Sequence, residues 1–244
     1  MLTGQVIPNR KITVEPVRIP DTGGHPESNH TSGRSTTKDG AYDQTVGNTG
    51  SDGLQFRTTY TSGEVAGEIE VKLACFNPDG VTVSSTGSLF VHVRIEGLVP
   101  LPDSDPTYVF EGNASTNTHQ DSHYVRPETL PKVLNLANMF FAERGKIIRI
   151  NDASLVWGGL FDYPGKWLPP HASHRVGEEF DVDNTKEQKG TGTVPDGPDW
   201  KPEDREELLA IARSSAVGLV QIREIAASEA SHYHFRDPRS TFQP

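Results

Sequence analysis

The sequence predicts two unlike halves: an all-β sandwich over residues 1–100, then an α+β domain with a small antiparallel sheet over residues 106–244. Three observations carry that expectation. Up to Pro100, apolar residues recur at every second position in short runs split by Gly, Pro, Asn and Asp, as half-buried antiparallel strands require. Further on, Arg126–Gly145 and Pro202–Arg213 change to helical spacing. At the join, Val99-Pro-Leu-Pro-Asp-Ser-Asp-Pro106 interrupts either period and marks the boundary.

In the first half, Ile12-Thr-Val-Glu-Pro-Val-Arg-Ile19 alternates, with Pro16 pointing to an edge strand or a kink. Residues 20–54 are polar and glycine-rich and read as long loops. His25 and His30 lie there, and exposed loop histidines are the expectation for both. Leu54–Tyr60 has strand-type residues. Ile69–Phe76 alternates cleanly and stops at Asn77-Pro-Asp-Gly80, a turn sequence. Leu89–Ile95 follows, with Leu89, Val91, Val93 and Ile95 on one face.

In the second half, Pro131 suits the first turn of a helix, Leu134, Leu136, Ala137, Phe140 and Phe141 mark its apolar face, and Gly145 is its stop. Lys146–Asn151 reads as a strand. Residues 183–200 form a long polar loop, a candidate wall or lid. The next segment opens with proline and acids and ends in Arg213, the charge order a helix dipole favours. Val217–Ile222 and His232–Arg236 are the remaining strand candidates.

Composition narrows the function. Hydrophobic content of 34% with 23 glycines and 18 prolines suits a loop-rich globular protein. A net charge of −10 argues against nucleic acid as the main partner, because phosphate binding needs concentrated Lys and Arg. Cys75 stands alone, so no intrachain disulfide forms, and a buried inert thiol is expected. No apolar run approaches the roughly 18 residues that cross a bilayer. No basic-then-apolar signal segment opens the sequence, which fits either a protein without an export signal or a chain whose leader has been removed.

The chemistry concentrates in two stretches. Six residues including a glycine separate His174 from Asp181, enough to leave a loop and enter a strand. His232 and His234 form an i, i+2 pair, so on a strand both imidazoles point to one face. Two imidazoles and one carboxylate make a tetrahedral zinc site with one open position, the arrangement of hydrolytic zinc.

The text around those residues resembles the penicillin-insensitive murein endopeptidases, part of a wider group of hedgehog-like zinc peptidases that includes D-alanyl-D-alanine carboxypeptidases. The matching stretches are Asn151-Asp-Ala-Ser-Leu155, Trp157-Gly-Gly-Leu-Phe-Asp162, Pro170-His-Ala-Ser-His-Arg-Val-Gly177 running on to Asp181-Val182, and His232-Tyr-His234. The resemblance implies that His174, Asp181 and His234 hold Zn2+, with His171 and His232 lining the cleft. It also implies peptide bonds of peptidoglycan as substrate, and a periplasmic or extracellular location. His232 is the candidate general base. Glu229, three residues earlier, is its rival, in a register that would make His232 the ligand. Arg175 is a candidate for holding a substrate carboxylate, with a structural ion pair as the alternative. Glu178, Glu179 and Asp183 read as solvated. Residues 52–68 resemble the final strands of bacterial immunoglobulin-like repeats, which implies a spacer or targeting module. The competing reading of the whole chain is a cell-wall-binding protein with a degenerate peptidase domain.

Overall fold

The computed structural model describes residues 8–26, 30, 39–51, 55–77, 80, 82–103, 105–110, 119, 122–162, 174–183, 200–225 and 232–238. They form a mostly β fold with two helices and four small sheets, none of them closed.

The alternating N-terminal runs build the first sheet. Strand β1 (Lys11–Arg18) is followed by β2 (Gly40–Tyr42), β3 (Val46–Asn48), β4 (Tyr60–Ser62), β5 (Gly67–Phe76) and β6 (Thr82–Val93). The antiparallel order is β3-β1-β5-β6, and β2 and β4 pair separately as a ribbon. β1 runs straight through Pro16: β3 pairs only with Lys11–Thr13, so the missing N–H falls where β1 pairs with β5 alone. Ile69 and Val71 supply the buried face of β5. At its end the Gly80 N–H bonds the Asn77 carbonyl at 2.9 Å, with Gly80 at φ +78.

Three expectations change here. Among the described residues of the Leu54–Tyr60 run, 55–60, only Tyr60 is in a strand. Leu89, expected on the apolar face, is exposed on β6, which pairs with β5 alone among the described residues. Cys75 is half-buried rather than fully enclosed.

The second half carries β7 (Val99–Pro100), β8 (Tyr108–Phe110), β9 (Tyr124–Val125), α1 (Leu130–Arg144), β10 (Ile148–Ile150), β11 (Glu179–Asp183), α2 (Pro202–Arg213), β12 (Val220–Ile225) and β13 (His232–Arg236). The larger sheet has the order β12-β13-β11-β10-β8, antiparallel except for β8 with β10. Gly145 ends α1 in the left-handed region at φ 64, its N–H bonding the Phe141 carbonyl. Val133, Leu136, Ala137 and Phe140 of α1 join Leu208 and Ile211 of α2 in the main core, which also takes Ile148, Ile150, Phe180, Val182, Tyr233 and Phe235 from the sheet. Burying one such side chain stabilises the fold by about 1.5–3 kcal/mol. Phe141, expected on the inner face, is 40% exposed. None of the described helices is long and apolar enough to cross a membrane.

Contacts join the N-terminal strands to the second half. Val65 bridges Gly159, the Leu160 N–H bonds the Glu64 carbonyl at 2.7 Å, and the Ile95 N–H bonds the Trp157 carbonyl at 2.9 Å.

Candidate metal centre

Strand alternation divides β11 and β13 between two tasks. Phe180, Val182, Tyr233 and Phe235 enter the core. Glu179, Asp181, His232 and His234 therefore point the other way. The antiparallel register sets Asp181 opposite His234, Asp183 opposite His232 and Glu179 opposite Arg236. His174 arrives from the preceding turn, and the Asp181 N–H and carbonyl are fixed by Asp152 and Asn151 at 2.7 and 3.0 Å.

His174 Nε2 lies 3.2 Å from Asp181 Oδ2, and His234 Nδ1 lies 3.0 Å from Asp181 Oδ1. All three residues are buried, and their ligand atoms lie within 4.8 Å of one another. The donor set fits a cation: ligands at about 2 Å in a tetrahedron stand about 3.3 Å apart. His234 gives a sharper test, since its Nε2 faces Glu179 Oε2 at 3.0 Å while Nδ1 faces Asp181. Both ring nitrogens meet carboxylates, so the ring is either an imidazolium or binds a cation through one of them. A carboxylate behind a ligating histidine is the usual way such a ring is aimed.

Electrostatics agree with the geometry. Burial opposes charge on His234, but hydrogen bonds to Asp181 and Glu179 outweigh it and push the imidazole up to about 9. Burial likewise opposes charge on Asp181, yet His174 and the hydrogen bonds of three imidazoles hold its carboxyl well below the ordinary range. Glu179 is lowered too, against its burial, by His234 and Arg236.

His232 Nε2 reaches Asp181 Oδ2 at 3.1 Å, which places the candidate base against the ligand set. Arg175 instead pairs with Glu64 Oε2 at 3.0 Å, the structural alternative. His171, Glu229 and residues 184–199 lie outside the described residues. Glu178, Glu179 and Asp183 are buried rather than solvated. Glu178 pairs with Arg126 at 3.0 Å, and Glu179 binds Arg236 as well as His234.

Two features were not found by reading the sequence. Asp152 accepts a hydrogen bond from Ser122 Oγ at 2.9 Å. Loss of solvent pushes its carboxyl up, and Asp181 adds to this while His174 opposes it. It stands in the Asn151–Leu155 stretch without a ligand-like spacing to signal a role. The second is another group positioned to hold a metal ion: His25, His30, His119 and Asp162. His25 is fully enclosed, contrary to the exposed loop histidine expected, and burial, with His119 adding to it, depresses its imidazole well below the usual value. The Phe161 ring lies between the groups, 5.2 Å from His119 and 5.7 Å from His174.

The chain matches no family model. No curated protein matches it either. The reading of function therefore rests on the residues themselves. Among the described residues, a cavity of about 320 Å³ lined by Tyr60, Glu64, His92, Arg94 and Trp157 includes none of the clustered histidines.

Proposed function

We propose that the chain is a zinc-dependent peptidase that hydrolyses peptide bonds in peptidoglycan, of the murein endopeptidase or D,D-carboxypeptidase type. The observation that carries this reading is the buried convergence of His174, Asp181 and His234, with His232 beside them, on the stretches that resemble those enzymes. On this reading residues 106–244 form a hedgehog-like peptidase domain and residues 1–100 an immunoglobulin-like module that spaces or targets it. Peptidoglycan as partner implies a periplasmic or extracellular site of action.

His174 Nε2, His234 Nδ1 and one Asp181 oxygen would hold the zinc, leaving a fourth position for water or substrate. Bound there, zinc supplies Lewis acidity to the scissile carbonyl and lowers the pKa of water. The remaining work belongs to the chain. His232 takes the proton from the attacking water and returns it to the leaving amine nitrogen, a role suited to an imidazole. Glu179 holds His234 by its Nε2, and so fixes which nitrogen faces the site. The low carboxyl pKa of Asp181 keeps it anionic across the working range.

The test is release of soluble fragments from purified peptidoglycan. Zinc-loaded protein is expected to release them; the chelated protein and His174→Ala are expected to release none. Cleavage that survives both treatments overturns the proposal. Binding to peptidoglycan without cleavage, and without stoichiometric zinc, would favour the binding-protein reading instead.

A further inference from the structure

We propose that His25, His30, His119 and Asp162 form a second zinc site, closed and structural, which fastens the N-terminal loop to the wall of the His174 cluster. His30 Nδ1 stands 3.0 Å from the Pro26 carbonyl, and a carbonyl only accepts, so the proton of the neutral ring sits on Nδ1. The His30 Nε2 lone pair then faces Asp162 Oδ1 at 3.3 Å, with 2% of the His30 side chain and none of Asp162 exposed. Two acceptors meet there in a buried place, an arrangement that needs a cation between them, either a proton or a metal.

The surroundings favour the metal. His119 Nε2 is 2.8 Å and His25 Nδ1 is 3.8 Å from the same carboxylate oxygen. Four ligand atoms lie within 4.8 Å of one another. The added proton answers the His30 contact alone; a divalent ion takes all four ligand atoms. Three imidazoles and one carboxylate suit a borderline ion such as zinc, and four protein ligands leave no open position. That separates this cluster from the three-ligand set around Asp181.

The loop is built to deliver His25. Gly23, at φ +74, lies so close to β5 that an added Cβ would sit 2.5 Å from the Ala66 carbonyl oxygen. Arg18 Nη2 donates to that carbonyl at 2.6 Å, and Thr22 Oγ1 accepts the Glu68 N–H at 2.9 Å. On the far side, the His119 ring stacks on Phe161, which touches His174. The ion would thus join residues 25 and 30 to residue 162, one aromatic ring from the first cluster.

The experiment is zinc content per full-length chain after dialysis against zinc and removal of the unbound ion. We expect two equivalents in the wild type, one in His174→Ala/His234→Ala, and none when His30→Ala is added to that pair. Chelation is also expected to lower the thermal midpoint of the double variant. A double variant without zinc overturns the proposal even if the His30 variant fails to fold. So does a zinc equivalent that persists after His30→Ala. A wild type holding one equivalent that survives in the double variant would support this site and count against the peptidase centre, so the two readings fail separately.

Discussion

In the metal-free protein, His234 makes stability depend on pH in a direction that can be worked out. Its imidazole moves from 6.5 in the unfolded chain to about 9 in the folded one, because Asp181 and Glu179 outweigh burial. The folded state therefore binds the proton more tightly. Its contribution is complete below pH 6.5 and drains away as pH rises through about 9. That gap corresponds to at most about 3 kcal/mol for a side chain as enclosed as this one. The measurement is urea unfolding in chelator at pH 6, 7, 8 and 9, for the wild type and for His234→Gln. The substitution keeps bulk and polarity but cannot titrate, so groups shared by both chains, including the second histidine cluster, cancel in the difference. The wild type is expected to lose its advantage over the variant progressively above pH 6.5. Saturating zinc should flatten the wild-type curve, because the ion takes the proton's place on Nδ1. Parallel curves for the two metal-free chains would refute the geometry, since they would mean that His234 does not stand between two carboxylates.

Other perturbations test the frame around the site. Asp204, held down to about 2 against its burial by Lys146, the Lys201 N–H and Arg144, supports stability above its unfolded value and loses that support as pH falls through about 2. With Arg144 one-third exposed, Asp204→Asn should cost about 1–2 kcal/mol at neutral pH in chemical denaturation. Phe180→Ala, in a core position with no exposure, should cost about 3–5 kcal/mol by the same assay. Gly23→Ala places a side chain at φ +74 against the Ala66 carbonyl, and thermal unfolding should show a loss of about 1–3 kcal/mol. Arg175→Gln breaks an ion pair that is partly exposed, so a change below about 1 kcal/mol with unaltered cleavage is expected; a raised KM would restore Arg175 as a substrate ligand.

Much of this was legible in the sequence where one period dominates. The bounds of α2 and β13 coincide with Pro202–Arg213 and His232–Arg236, because proline, acids and arginine punctuate the first and strict alternation defines the second. The run ending at Tyr60 misled because side-chain bonds to a distant segment stand where ladder bonds were expected: the Thr59 N–H goes to Asp43 Oδ1, and Thr58 Oγ1 donates to the Gln44 carbonyl. The acids at 178 and 179 looked solvated because their partners Arg126, His234 and Arg236 lie far off in the chain. His25, His30 and His119 follow no ligand spacing at all. A polar stretch around the first two suggests exposure, and only tertiary convergence on Asp162 contradicts it.

The register of β11 against β13 links these points. A slip of one residue would turn Asp181 and His234 into the core and bring Phe180 and Phe235 to the polar face. The cost of burying two unmatched charged groups and exposing two phenyl rings far exceeds any backbone preference between registers. What aims the ligands is therefore the apolar side of the same strands, packed on α1 and α2. Val182→Ala should consequently weaken the fold by removing packing while leaving zinc content unchanged, because three aromatic neighbours still hold the register. A one-residue deletion at Phe180 keeps the composition of the face but reverses it beyond that point, and should abolish binding at this site. If the deletion bound zinc as the wild type does, the cluster would not owe its assembly to strand alternation.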